Sequence, residues 1–339
     1  MKKVIYLKNK PIGDGKITIQ SMTNTPTCDA EKTLSQINAL AEAGADFVRV
    51  SVPDLASADA VKEICLKSPL PVIGDIHFAY EPALRAIENG IAKIRINPSN
   101  MPEKGLKAVV RMCAEYKVPI RVGVNKGSVK KNVTPQELVS LTLDAAKKIE
   151  DLGWDRLVLA VKTSDPSETV KAYRLLYEKT DYPLHIGLTE AGTPKYGLLK
   201  SAISIGSLLI DGIGDTVRVS LTGDPIQEIY AAKDLLIACG IEKNFVDVIS
   251  CPTCARTEID VENLALRIQK LTSKIKKSLK IAVMGCVVNG IGEGKSADFG
   301  VAGGKKKSII FAKGDILKTV PNEEIESALI GLIEEYADE

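Results

Sequence analysis

The amino-acid sequence predicts an α/β protein: a (β/α)8 TIM barrel followed by a smaller α+β domain. Three observations lead there. From Ile17 to about Cys239, short β-rich runs alternate with amphipathic stretches, the rhythm of successive βα units. Eight such units occupy about 225 residues, a length that suits a closed barrel better than an open doubly wound sheet. After Gly240 the rhythm breaks. The expected division is therefore a barrel over residues 1–240 and a second domain over 241–339.

The eight strands read, in order, ITIQSM (17–22), FVRVSV (47–52), PVIGDI (71–76), KIRINP (93–98), IRVGVN (120–125), RLVLAVK (156–162), LHIGLTE (184–190) and TVRVSL (216–221). Helices fill the gaps. EKTLSQINALAEAG (31–44) closes on a glycine suited to a C-cap, and Thr134 followed by Pro135 and Glu137 starts another with an N-cap and a first-turn proline. Beyond Gly240 come a strand ending in Cys251-Pro252-Thr253-Cys254 and a helix over 261–275. KIAVMGC, a glycine-rich turn, the strand pair FGVAGG and SIIFAKG, and a last acidic helix complete the chain. No Gly/Ser- or Pro-rich linker separates the two parts.

Composition narrows the function classes. Forty-five basic against 43 acidic residues leave a net charge of +2, with the signs interspersed, so nothing suggests nucleic acid. No apolar run approaches the roughly 18 residues of a membrane span, and Met-Lys-Lys is not followed by a signal-peptide core. The expectation is a cytoplasmic protein that engages no membrane. Seven scattered cysteines do not form a disulfide framework. Cys65, Cys113 and Cys239 sit in helical patterns as small buried thiols, and Cys28 is ambiguous.

Four strands share one kernel, an arginine between β-branched residues: Arg49, Arg95, Arg121 and Arg218. Alternation turns the flanking Val and Ile toward the helices and each arginine inward, near the strand end where barrel active sites are built. Lys162 adds a fifth cation. The interior carboxylates read from the strands are two, Asp75 and Glu190, and an unpaired buried guanidinium costs several kcal/mol, roughly. A ligand with two or more phosphates answers this excess, because guanidinium forks bind phosphate oxygens bidentately. Asn125 and Ser220 share the arginines' strand parity, as do Ser51, Asn97 and Ser164, and offer neutral hydrogen-bonding groups. Of the two histidines, His77 shares parity with Asp75 and faces the pocket, whereas His185 reads as structural. Glu190 is the carboxylate at the mouth able to donate a proton. DGIGD and NGIGEG lack the spacing of nucleotide loops.

A strand, C-P-T-C and a helix would also suit a dithiol site, but that accounts for two cysteines only. Cys286 lies at another strand end among glycines that permit close backbone approach. Zinc normally completes a set of three cysteines with a fourth Cys or a His, and the second domain has neither, so a structural zinc site is the weaker reading. A cubane iron-sulfur cluster normally takes four thiolates, so three leave one iron open to another ligand. Glu293, seven residues beyond Cys286, is placed for that role, although from spacing alone a solvated turn residue is the more economical reading.

At this point the residues closely resemble one family, the 4-hydroxy-3-methylbut-2-en-1-yl diphosphate synthases of the non-mevalonate isoprenoid pathway. The likeness spans the whole chain. It is carried by SMTNT, FVRVSVP, GDIHF, KIRINP, IRVGVN, LAVKTSD, HIGLTEAG, VRVSLTGDP, ISCPTCART and MGCVVNGIGE followed by DFGVAGG. The resemblance implies a barrel joined to an iron-sulfur domain like those of sulfite and nitrite reductases, with a [4Fe-4S] cluster on Cys251, Cys254, Cys286 and Glu293. It implies a reductive dehydration of 2-C-methyl-D-erythritol 2,4-cyclodiphosphate, in which two electrons open the ring and an oxygen leaves as water.

By the same resemblance, Arg49, His77, Arg95, Arg121, Asn125, Lys162, Arg218 and Ser220 hold the substrate. Arg256 and Asn289 reach it from the cluster side, and Glu190 handles a proton. Flavodoxin or ferredoxin is the implied electron donor. The compact form implies a head-to-tail homodimer in which one chain's cluster domain covers the other's barrel. The alternative is a barrel enzyme of the pterin-binding kind carrying a zinc or dithiol interaction module.

Overall fold

The computed structural model describes residues 2–76, 79–128 and 133–338. The chain divides into two compact units, Met1–Cys239 and Gly240–Glu339.

The first unit opens with an antiparallel hairpin, β1 (Ile5–Leu7) and β2 (Lys10–Ile12), that the strand pattern did not announce. Eight parallel strands follow: β3 (Thr18–Met22), β4 (Phe47–Ser51), β5 (Val72–Asp75), β6 (Lys93–Ile96), β7 (Ile120–Asn125), β8 (Leu157–Lys162), β9 (His185–Ile186) and β10 (Thr216–Val217). They lie in the order β8-β7-β6-β5-β4-β3-β10-β9. A parallel bridge from Leu159 to Leu184 brings β8 back against β9. There the Leu159 N–H donates to Pro183 O at 2.9 Å, so the sheet is a nearly closed barrel.

The last two strands are shorter than their sequence runs. Arg218 N–H still donates to Ile186 O at 3.1 Å, but at Gly187 the ladder stops. A Cβ there would lie 2.5 Å from Arg218 O and 2.9 Å from Lys162 Nζ, so the backbones approach more closely than a side chain permits.

Eight helices cover the barrel: α1 (Ala30–Ala43), α2 (Leu55–Lys67), α3 (Glu81–Glu88), α4 (Glu103–Glu115), α5 (Pro135–Glu150), α6 (Pro166–Lys179), α7 (Pro194–Ile210) and α8 (Pro225–Ala238). Their ends follow the expected chemistry. Gly44 caps α1 in the left-handed region at φ 100°, and Thr134 with Glu137 forms a complete capping box on α5.

The Val and Ile residues that flank the strand arginines, such as Val48, Val50, Ile120 and Val122, pack into the core between strands and helices. A separate apolar cluster fills the barrel floor. In it Phe47, Ile73 and Val158 from the strands, with Ala92 just before β6, meet Ile5, Leu7 and Ile12 from the hairpin. The hairpin thus plugs the end opposite the strand C-termini.

The second unit holds a five-stranded sheet in the order β11 (Val246–Ser250), β12 (Leu279–Met284), β13 (Phe299–Ala302), β14 (Lys307–Ala312) and β15 (Asp315–Pro321). Its first three strands are parallel and the rest antiparallel. Helices α9 (Val261–Thr272), α10 (Val287–Glu293) and α11 (Ile325–Asp338) complete it.

Two features correct the sequence reading. β15 pairs with β14 although its run alternates weakly, and the expected glycine-rich turn after Cys286 is the helix α10. Glycine is a poor helix former, but here its missing side chain is what packing demands. A Cβ on Gly290 would overlap Ala302 Cβ, and one on Gly294, just past α10, would overlap the Phe311 ring.

Emptying part of the barrel floor should be costly. Phe47→Ala is expected to lower the unfolding free energy by about 3–5 kcal/mol, read from urea unfolding followed by circular dichroism.

Candidate active site

The strand register assembles the inner face of the barrel. Ser51 lies beside Asp75, Asp75 beside Arg95, and Arg95 beside Arg121, so two guanidinium groups stand on neighbouring strands. Asn125 lies beside Lys162 at the ends of β7 and β8. Gly123 lies under the two guanidinium groups, where a Cβ would be in ordinary contact at 3.5 Å from Arg95 Nε and 3.8 Å from Arg121 Nε.

Two carboxylates answer the cations. Asp75 lies 3.3 Å from Arg95 Nη1 and 3.8 Å from Arg49 Nε. The second partner is not Glu190, as the strands suggested, but Glu228 in the first turn of α8. Its carboxylate receives Arg218 Nε at 3.3 Å and Nη2 at 3.4 Å, and also the Leu221 N–H at 3.1 Å. Arg49 also donates to the Met22 sulfur, from the same Nε at 3.1 Å and from Nη2 at 2.8 Å. Arg121 is 3% exposed, and its Nε and Nη1 have no hydrogen-bond partner among the described residues. Lys162 and His185 are buried side by side, with Nζ and Nε2 3.4 Å apart, while the His185 carbonyl accepts Tyr173 Oη–H at 2.6 Å. His185 therefore belongs to the charged interior, where the sequence had made it structural.

Burial presses on Arg49, Arg121 and Lys162. It lowers Arg49 to about 10 in spite of Asp75. It drives Lys162 and Arg121 well below their ordinary values, with neighbouring arginines adding to the effect. An arginine starts so high that it stays charged regardless, so the strain persists until an anion arrives. His185 is pushed down first by burial and then by Lys162, so its imidazole is neutral near pH 7.

Glu190 is exposed at the barrel mouth, in the left-handed region at φ 53°. A non-glycine residue held there is strained, and such strain concentrates at functional sites. A Cβ on Gly127, just past β7, would come within 4.0 Å of its Oε1. Ser220 and Asn125 are half-buried. His77 lies outside the described residues.

In the second unit Cys251 and Cys286 lie at the C-terminal ends of two parallel strands, and Cys254 lies in the loop that follows the first of them. Cys251 follows β11 and is buried, and its Sγ accepts the Gly285 N–H at 3.1 Å. Cys286 is buried two residues past β12, at the N-cap of α10. Cys254 is exposed, and hydrogen bonds from the backbone and side chain of Arg256 lower its pKa. The loop is knitted by Thr257, whose Oγ1 accepts the Cys254 N–H at 3.0 Å and whose N–H donates to Cys254 O at 3.0 Å. A cavity of about 370 Å3 opens beside Cys251 between β11 and α9.

The donor set suits an iron-sulfur cluster: three thiols at strand ends, one accepting a backbone N–H and one acidified by an arginine. Among the described residues no three His, Cys, Asp or Glu side chains are grouped to hold a metal ion. A cubane is several times larger than an ion and separates its thiolates accordingly. The side chains of Asn289 and Glu293 lie outside the described residues.

Comparison with known proteins decides the family. Residues 2–233 match the model of the GcpE TIM-barrel domain and residues 247–335 that of the GcpE protein C-terminal domain. The chain belongs to the GcpE family. GcpE relatives named 4-hydroxy-3-methylbut-2-en-1-yl diphosphate synthase (flavodoxin) match along nearly the whole length. The Clostridium perfringens protein is 49% identical over 95% of both chains. That of Caldanaerobacter subterraneus is 49% identical over 99% of this chain and 97% of its own. The Thermotoga maritima protein is 46% identical over 96% and 95%.

Among solved structures, a type I 3-dehydroquinate dehydratase from Clostridium difficile superposes with a TM-score of 0.55 and 15% identity, over 71% of this GcpE chain and 99% of that chain. A Xanthomonas albilineans dihydropteroate synthase gives 0.52 and 14%, over 71% and 98%. At such identity these likenesses show the barrel fold alone. They lend nothing to a pterin-binding reading, against which the GcpE relatives' names stand.

Two members of the barrel layer escaped the sequence reading. Glu228 left no signal, because strand parity does not reach a helix-borne side chain. Lys93 did leave one, since in KIRINP it shares parity with Arg95, although it is not flanked on both sides by the β-branched residues that mark the arginines.

The neutral His185 sets a pH window. Its pKa is lower folded than unfolded, so its contribution to stability is complete above about pH 6.5 and is lost as pH falls below that value. Each unit of further acidification costs up to about 1.4 kcal/mol. Urea midpoints between pH 7.5 and 5 should fall in the wild type and fall less in His185→Gln.

Proposed function

We propose that this GcpE protein carries out the reductive ring opening and dehydration of 2-C-methyl-D-erythritol 2,4-cyclodiphosphate to 4-hydroxy-3-methylbut-2-en-1-yl diphosphate. The reaction consumes two electrons and two protons and releases one water. One observation carries the reading: the barrel buries more cations than its carboxylates neutralise, at the strand ends where a cyclic diphosphate would lie. The names of relatives nearly half identical along the full chain supply the reaction.

Arg49, Arg95, Arg121, Lys162 and Arg218 take the phosphates, with the arginines acting as bidentate forks. Asn125 and Ser220, together with His77, orient the polyol. Glu190, solvent-accessible at the mouth, delivers a proton to the departing oxygen. Cys251, Cys254 and Cys286 hold a [4Fe-4S] cluster, with Glu293 as the fourth ligand. That cluster, when bound, supplies the electrons one at a time and an iron position that exchanges its ligand. Arg256 and Asn289, adjacent in sequence to these ligands, contact the substrate from the cluster side.

Flavodoxin, named in the relatives, is the electron donor in this reading. A head-to-tail homodimer and a cytoplasmic location rest on the family resemblance; among the described residues no helix is long and apolar enough to cross a membrane.

Anaerobically purified protein should be brown, absorb at about 400 nm and carry about four irons per chain. It should convert the cyclic diphosphate with reduced flavodoxin or a chemical reductant. Colourless protein holding one zinc, or cluster-loaded protein that leaves the cyclic diphosphate untouched, would sink the proposal. Arg121→Met should weaken substrate binding by about 2–3 kcal/mol, seen as a raised KM; an unchanged KM would make the arginine purely structural.

A further inference from the structure

Lys93 is a buried ionisable group that the mechanism above leaves unused. It is fully buried on β6, and its Nζ has no hydrogen-bond partner among the described residues. It occupies the seam between two layers. Beneath lies the apolar floor, with the Phe47 ring centre 5.7 Å from Nζ and Ile73 directly beside Lys93 in the strand register. Above lie the arginines.

The charged groups around it are of one sign or already engaged. Arg49 on β4 and Arg121 on β7 both oppose its charge, Arg95 stands two residues along its own strand, and Lys93 itself bears on His185 of β9. Of the two carboxylates of this layer, Asp75 on β5 is engaged by Arg49 and Arg95, and Glu228 on α8 by Arg218. Lys162 on β8 at least faces an imidazole nitrogen. An ammonium at Lys93 has no hydrogen-bond acceptor among the described residues, no water-like surroundings and two guanidinium groups for neighbours.

Burial and these arginines push the amine well below its ordinary value. A polyanion bound against the arginines would reverse the local potential and restore the charged form. We propose that Lys93 is a positioning residue of the anion site that takes up a proton when a diphosphate enters the barrel, so that binding is coupled to protonation beneath the ligand. The step is a simple protonation: the amine lone pair accepts a solvent proton, and no redox partner is needed. The inference rests on the diphosphate reading of the barrel and adds a sixth basic side chain to it.

The test uses the full-length, cluster-loaded protein under anaerobic conditions, with inorganic pyrophosphate as the probe. Calorimetric titration at pH 8 in two buffers of different ionisation enthalpy gives affinity and net proton uptake together. Lys93→Met is expected to take up less than wild type by as much as about one proton, and to bind pyrophosphate at least tenfold more weakly. Ligand-free Lys93→Met should melt no lower than wild type, because an apolar side chain replaces a buried amine without a partner.

Equal uptake and equal affinity in a folded Lys93→Met protein would overturn the proposal. If that variant does not fold, Lys93→Gln is read against the same two outcomes. Failure of the wild type itself to bind pyrophosphate would instead remove the diphosphate reading, so the two failures are distinct.

Discussion

Like charges held inside a barrel with too few counter-charges are the constraint to which the rest of this structure answers. A guanidinium away from water needs acceptors, and the barrel supplies two carboxylates and a thioether for its four arginines. What it cannot neutralise it must hold rigidly. The rigidity comes from below, where the hairpin and Phe47 close an apolar floor, and from outside, where Val and Ile on the opposite strand faces lock into the helices. The stability of those layers sustains an interior that is electrostatically unfavourable until an anion enters. A site of this kind is pre-organised: the cost of gathering the cations is met on folding, so ligand binding need not meet it again.

The second unit solves a different problem with the opposite device. Its cysteine edge is built by removing side chains. Gly285 brings its N–H to the Cys251 sulfur, where a Cβ would press on Thr257 and Val261 at 2.9 and 3.0 Å. Gly290 and Gly294 let α10 and the turn beyond it settle against Ala302 and Phe311. Close backbone packing at the ends of β11 and β12 sets two thiols at the same edge of the sheet. The charged barrel and the glycine-rich edge thus divide the work, one by electrostatic excess and the other by steric deficit.

Much of this was legible in the sequence, for physical reasons. A β-strand alternates with period two, so Arg49, Arg95, Arg121 and Arg218 announced an inward-facing set wherever β-branched neighbours marked the outward face. Helix caps are local too, which is why Gly44 and the Thr134 box could be read directly. The eightfold repetition of the pattern predicted the barrel, and the comparisons bear out the fold class and family to which those motifs pointed. The three strand-end cysteines were visible for the same reason, as abrupt ends to hydrophobic runs.

What the tertiary structure decided were the partners. Glu228 reaches Arg218 from a helix, a relation with no period in the chain, and it displaced Glu190 as the second interior carboxylate. The glycine-rich stretch after Cys286 became a helix because its neighbours needed the space, overriding its low propensity. The hairpin plug, the early end of β9 at Gly187, and the isolation of Lys93 beneath the arginines likewise depend on which backbones come close in space. The sequence by itself determined which faces carry charge, because that follows from local alternation; only the fold decided which charges are answered, because pairing depends on distances between residues far apart in the chain.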